Sequence, residues 1–418
     1  DVTITFSEAV DGFSNADLDL SNANGTLSAV SSTDGGKTWS ATFTPDAPVE
    51  DTSSLITLNM AGVTDIAGNQ GVGSLSTPNF SIDTSAPVAP SVTLASDTGI
   101  SNSDAISRVG TLNVTGIESG ATVEYSTDGG STWTGSFSAV EGANSVSVRQ
   151  TDAAGNVSDS TTLNFTLDTS APVAPVVTLA SDTGVDSGDR ITSDGSLTLT
   201  GVEATATVQY STDGGASWSS SFSAVEGSNS VSVRQVDPAG NISDVTSLNF
   251  TLDTTAPTAT ISFSDTALKI GETSDVTITF SEAVADFTNA DLDLSGANGT
   301  LSPVSSSDGG KTWSATFTPD APVEDTSSLI TLNMAGVTDI AGNQGVGSLS
   351  TPNFSIDTSA PVAPSVTLAS DTGISNSDAI SRVGTLNVTG IEPGAMVEYS
   401  TDGMTWSSSF TAGEGDNS

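Results

Sequence analysis

The 418 residues are too many for one domain and suit three to five, and Gly at 41 copies with only 14% charged residues favours strands and turns over packed helices. Fifty Asp and Glu against eight Lys and Arg give a formal charge of −42, which repels nucleic acid and anionic membranes and attracts cations. The lack of Cys and His removes disulfides, ordinary zinc sites, thiol nucleophiles and imidazole acid–base chemistry, and no apolar run approaches the length of a membrane span.

The chain repeats. Asp83-Thr-Ser-Ala-Pro, Asp168-Thr-Ser-Ala-Pro, Asp253-Thr-Thr-Ala-Pro and Asp357-Thr-Ser-Ala-Pro recur at spacings of 85, 85 and 104 residues, which defines a short and a long unit. The order is a partial 104 unit (1–85), two 85 units (86–170 and 171–255), a whole 104 unit (256–359) and a partial 85 unit (360–418). Residues 1–83 match 275–357 at all but positions 11, 12, 14, 22, 29 and 33, which implies duplication within an array. The first unit lacks the strand that its copy carries between Ala256 and Ser274, so a window cut from a longer polymer of domains is expected.

Within 86–170, apolar and small polar residues alternate, the period of a half-buried strand. Val92/Leu94, Leu112/Val114, Val123/Tyr125, Val146/Val148 and Leu163/Phe165/Leu167 each fall on one face, Trp133 and Phe137 are the expected large core residues, and Gly-rich turns separate the strands. The 104 unit keeps this rhythm in Val276/Ile278/Phe280, Trp313, Phe317, Ile330/Leu332/Met334 and Phe354/Ile356. No segment has a helical period. Six or seven short strands per unit predict an all-β chain, a tandem array of antiparallel β-sandwiches of immunoglobulin type forming an elongated rod.

The most specific cluster is Asp-x-Ala-Gly-Asn, at Asp65–Asn69, Asp152–Asn156, Asp237–Asn241 and Asp339–Asn343. In such a sandwich this hairpin loop shares a pole with the chain entry and the loop after the second strand. Asp152 should therefore meet Asp83, Asp237 meet Asp168 and Asp339 meet Asp253, with Glu118, Glu203 or Glu282 adding a third carboxylate. The opposite pole of the preceding unit offers Asp97/Asp104, Asp182/Asp189 and Asp371/Asp378. Carboxylates, an Asn and carbonyls on tight turns suit a hard cation with six to eight oxygen ligands, Ca²⁺ better than octahedral Mg²⁺. Against this stands the plain role of Asp, Asn and Gly as turn formers.

Ser32-x-Asp34-x-Gly36-x-x-Trp39, with copies at 126–133, 211–218 and 306–313, fits the Asp-box pattern of sialidase-like propellers, where it is a structural turn; the spacing is too long for propeller blades and no Arg cluster accompanies it. A β-hairpin with a core Trp is expected instead. Asp17/Asp19 and Asp291/Asp293 alternate with Leu and are read as the outer face of a strand rather than a glycosidase pair.

The phrases Asp-Thr-Ser-Ala-Pro-Val-Ala-Pro, Ser-Asp-Thr-Gly-Ile, Asp-Ala-Ala-Gly-Asn and Phe-Ser-Glu-Ala-Val resemble bacterial Ig-like repeats, specifically the extender repeats of giant biofilm and host-attachment adhesins secreted by type 1 systems. The resemblance implies a non-catalytic, secreted cell-surface stalk stiffened by Ca²⁺, whose partners are the neighbouring repeats, with no nucleic acid and no membrane insertion. It carries over Asp83, Asp152, Asp168, Asp237, Asp253, Asp339 and Asp357 as metal ligands, with Asp97, Asp182 and Asp371 beside them. Rival expectations are repeats that themselves bind a ligand or self-associate into a filament and, more remotely, an Asp-box enzyme.

Overall fold

The computed structural model describes residues 1–417. Every regular element is a β-strand apart from four single-turn 3₁₀ helices, among the described residues. The chain falls into two compact units, one of residues 1–177, 199–222 and 231–247, the other of 178–198, 223–230 and 248–418.

In the first unit, residues 1–85 pair Val2–Thr5 with Thr38–Ala41 and Leu18–Asp19 with Thr57–Asn59, both antiparallel. Phe6, Phe13, Leu18, Ile56, Leu58 and Val63 form the core between them. In residues 86–170, Ser91–Leu94 pairs with Leu112–Thr115, and a four-stranded sheet runs Ile106–Ser107, Thr161–Leu167, Gly142–Thr151, Thr122–Ser126. The first contact of that sheet is parallel, the others antiparallel. The alternation of the sequence turns Val92, Val146, Val148 and Phe165 inward against one another. The same unit holds Thr207–Ser211 paired with residues 232–236.

In the second unit, residues 256–359 build the largest core. One sheet runs Ala259–Phe263, Ser274–Phe280, Thr312–Pro319, Gly299–Leu301, and faces strands that include Phe354–Asp357 and Thr331–Asn333. Val276, Ile278, Phe317, Ile330 and Leu332 are wholly buried there. Ala267–Lys269 adds in parallel to Phe354–Asp357. Ser365–Leu368 pairs with Leu386–Thr389 further along.

Two expectations need correction. Trp133 and Trp218 are not core residues: each lies half-buried beneath an arginine, Arg149 at 4.0 Å and Arg234 at 3.9 Å from the ring centroid. Their rings serve as cation–π faces on the outside of the sheet. In the 104 units the equivalent Trp39 and Trp313 do turn inward, edge-on to Phe13 and Phe287 at 5.3 Å. Asp17 and Asp291 are not on a strand face either. Each closes a capping box on a 3₁₀ turn, accepting from the backbone N–H of Ser14 or Thr288, and only Asp19 and Asp293 sit on the following strand.

Gln150 shares the parity of Val146 and Val148 and is 1% exposed. Its Nε2 donates to the linker carbonyl of Val88 at 2.6 Å and to Gly116 at 3.1 Å, while Oε1 accepts from the Glu118 N–H at 2.8 Å. Gln235 repeats the pattern with Val173, Gly201 and Glu203. These glutamines bolt each linker onto the domain it enters. Replacing Gln150 with Leu removes these three hydrogen bonds, and a loss of about 3 kcal/mol is expected, read as a lower urea midpoint for one transition of the full chain.

Candidate functional site at the domain junctions

The Asp-x-Ala-Gly-Asn loops fold locally, by their own side chains. Asp152 Oδ1 accepts from the N–H groups of Ala154, Gly155 and Asn156 at 2.7–2.9 Å, and Gly155 takes φ +97°, a turn that favours glycine. Gly240 and Gly342 take +89° and +91° in the equivalent turns. This geometry swings the Asn side chain outward to the linker. Asn156 Nδ2 donates to the backbone carbonyl of Asp83 at 3.1 Å, Asn241 to that of Asp168 at 2.8 Å, and Asn343 to that of Asp253 at 2.7 Å. The same three Asn amides also donate to Asp152, Asp237 and Asp339, which are 8%, 3% and 1% exposed.

At the last of these junctions three carboxylates meet. Oxygens of Asp253, from the linker, Glu282, from the loop after strand Ser274–Phe280, and Asp339 all lie within 4.8 Å of one another. No Lys or Arg pairs with any of them. Burial, a hydrogen bond from the shared proton to Asp253, and the charges of Asp253 and Asp339 push Glu282 up to about 7. Among the described residues no other three acidic groups converge this closely. Glu118 and Glu203 are exposed, and at the first two junctions the linker Asp and the loop Asp are joined through the Asn amide.

The remaining predicted residues are placed as follows. Asp65 accepts from Asn69 Nδ2 at 2.7 Å with no linker Asp at hand, and Asp357 is exposed at the end of its strand. Asp97, Asp182 and Asp371 each accept one backbone N–H across their own loop, from Ala105, Arg190 and Ala379, all at 3.1 Å. The other carboxylate oxygen of each is buried and has no hydrogen-bond partner. Asp104, Asp189 and Asp378 are exposed and accept from the N–H two residues on. An oxygen-only donor set with three orphaned carboxylate oxygens and one uncompensated acidic trio fits a hard divalent cation.

Sequence reasoning missed Glu141 and Glu226. Each reaches the linker and accepts from both the N–H and hydroxyl of Thr169 or Thr254. A Glu before Gly in a turn carries no distinguishing signal, whereas their shared place 27 residues before a linker Asp does.

The Asp boxes are turns. Ser126 Oγ and Asp128 gather the loop: Gly130 N–H donates to Ser126 Oγ at 2.8 Å, Thr132 donates its N–H and hydroxyl to the two Asp128 oxygens, and Trp133 Nε1 closes on the Gly130 carbonyl. The Thr132 hydroxyl, then its N–H, hold Asp128 well below the usual carboxylate range, and Asp34 is lowered to about 2 by the Thr38 N–H and the Ser32 hydroxyl.

Two models of the bacterial Ig-like domain match this chain, one over residues 1–82 and 253–356, the other over 170–254. The chain belongs to the bacterial Ig-like domain family and is a tandem array of such domains. No curated protein matches it. Among solved structures, it is similar to the S-layer protein rSbsC(31-844) at 17% identity, covering 88% of this chain and 54% of that one with a TM-score of 0.19. It is also similar to titin domains I67–I69, at 10% identity over 66% of this chain and 100% of that one with a TM-score of 0.33. The Escherichia coli adhesin FdeC matches at 10% over 86% and 88% with a TM-score of 0.18. The chain thus spans about half the length of the S-layer structure, and likeness at this level bears on no function. No helix is long and apolar enough to cross a membrane, among the described residues.

A raised carboxyl binds its proton more tightly in the folded state than in the unfolded one, so its contribution is lost as pH rises. In chelator, the stability of the domain holding Glu282 is expected to fall between pH 4.5 and 7 and then level off. Glu282→Gln should flatten that part of the profile, as followed by thermal unfolding at a series of pH values.

Proposed function

We propose that this chain is a non-catalytic extender segment of a large bacterial cell-surface adhesin, whose Ig-like domains are held end to end by Ca²⁺ and project a distal binding domain outward for attachment or biofilm formation. The observation that carries the reading is the Asp253–Glu282–Asp339 trio, three carboxylates from three separate segments meeting at one junction with no basic side chain to neutralise them. Bound Ca²⁺ supplies positive charge there and ties linker to domain. Asp253, Glu282 and Asp339 would hold it, and Asp83 with Asp152 and Asp168 with Asp237 are the corresponding, sparser sets. The unpartnered oxygens of Asp97, Asp182 and Asp371 are further candidate ligands.

The energetics suit a switch set by the cell boundary. Extracellular modules bind Ca²⁺ with dissociation constants on the order of 10⁻⁴–10⁻³ M. At ten times such a constant each site stabilises the folded, joined state by about 1.4 kcal/mol. With no cysteine in the chain, cohesion then follows cation supply instead of oxidation. Millimolar Ca²⁺ is expected to raise the melting temperature of the full chain and EGTA to reverse the rise. Asp339→Asn should remove much of the effect. A melting temperature indifferent to both Ca²⁺ and EGTA would count against the proposal.

A further inference from the structure

Two junctions share a contact that needs no ion. In residues 86–170 the connection between strands Ser91–Leu94 and Ile106–Ser107 is a long finger built on Asp97–Ala105, with Ala105 at φ +60°. From it Thr98 Oγ1 donates to the carbonyl of Ala239 at 2.7 Å and the Ile100 N–H to that of Pro238 at 3.3 Å; just beyond it Arg108 Nη1 donates to Gly240 O at 3.1 Å. These acceptors are the Asp-x-Ala-Gly-Asn loop of the next repeat. The contact recurs one repeat later, where Thr183 Oγ1 donates to Ala341 O at 2.5 Å.

The fit is backbone against backbone. Ala239 and Ala341 are 0% and 1% exposed, whereas Ala67 and Ala154 in the equivalent loops of 1–85 and 86–170 are exposed. Gly99 and Gly184, at φ +111° and +100°, press so closely on Pro238 and Ile340 that a Cβ on either would overlap the carbonyl oxygen. On the other side, a Cβ on Gly240 or Gly342 would come within 2.9 Å of Gly99 Cα or Gly184 N.

The 104 unit has no finger. Its first strand, Ala259–Phe263, is followed after Ser264-Asp265-Thr266 by the strand Ala267–Lys269. Ala267 stands where the 85 units have Gly99 and Gly184, and it is committed to the sheet opposite Ser355, while the Thr266 carbonyl accepts from the Ser355 N–H. Residues 1–83 repeat residues 275–357 of this unit, without a counterpart of Ser264–Ala267, and the loop residues Ala153, Ala154 and Gly155 that follow them are exposed.

We infer that the array contains two kinds of joint. An 85 unit locks onto its successor through the Thr-Gly finger, whatever type that successor is, while a 104 unit cannot, so the order 104-85-85 places one compliant joint in every 274-residue period. The finger is thus a specificity device for the Asp-x-Ala-Gly-Asn loop, and the unit order is a pattern of stiff and bending points.

Because the chain has no cysteine, label pairs can be placed cleanly on it. Thr3 with Asn113 spans the joint at Asp83, Asn113 with Thr198 that at Asp168, and Thr198 with Thr279 that at Asp253; all four positions are exposed. Spin-label distance distributions of the full chain are measured in EGTA, so that the result is independent of calcium. The distribution across Asp83 is expected to be at least twice as wide as across the other two. Gly99→Ala should widen the Asp168 joint alone, and Gly184→Ala the Asp253 joint alone. Equal widths in the unaltered chain, or a variant that leaves its own joint narrow or loosens both, overturn the inference.

Discussion

The backbone carbonyls of Asp83, Asp168 and Asp253 are the points on which the junctions depend. Asn156, Asn241 and Asn343 bind them with one amide hydrogen and their own loop aspartate with the other. That double donation ties the linker to the loop of the domain it enters, and at the Asp253 junction three carboxylates meet beside it. Bringing like charges together out of water is unfavourable unless something shares them. A proton on Glu282 is the protein's own remedy. A divalent cation is the remedy that the oxygen-only donor set suits best.

The junction therefore combines two different kinds of cohesion. The linker glutamines Gln150 and Gln235, and the finger contacts of Thr98 and Thr183, are neutral hydrogen bonds that salt and chelators leave alone. The acidic sets are charged groups, and the proposal makes them the part that responds to cations. If Ca²⁺ binds at Asp253 as proposed, removing it would relax the acidic set there and leave the Thr183 contact in place.

Much of this was legible in the sequence. Alternating residues such as Val146 and Val148 mark the strands, and the recurrence of Asp-x-Ala-Gly-Asn points to the meeting of Asp339 with Asp253 and Glu282. The failures have physical causes. Large aromatics usually face the core, which is the expectation for Trp133, but Arg149 covers its ring on the outside of the sheet. Glu118 and Glu203 share the loop position that made Glu282 a candidate, yet their side chains stay in solvent while the backbone N–H of each is spent on a buried glutamine. The finger leaves no mark in the sequence because its partners are backbone carbonyls more than 130 residues away, which no side-chain pattern advertises.

Calorimetric titration of Ca²⁺ into the metal-free full chain, set beside the Asp339→Asn and Glu282→Gln variants, tests the central claim most directly. The account predicts saturable binding in which each variant loses the same site. Titrations without heat, or variants that bind as the unaltered chain does, would contradict it.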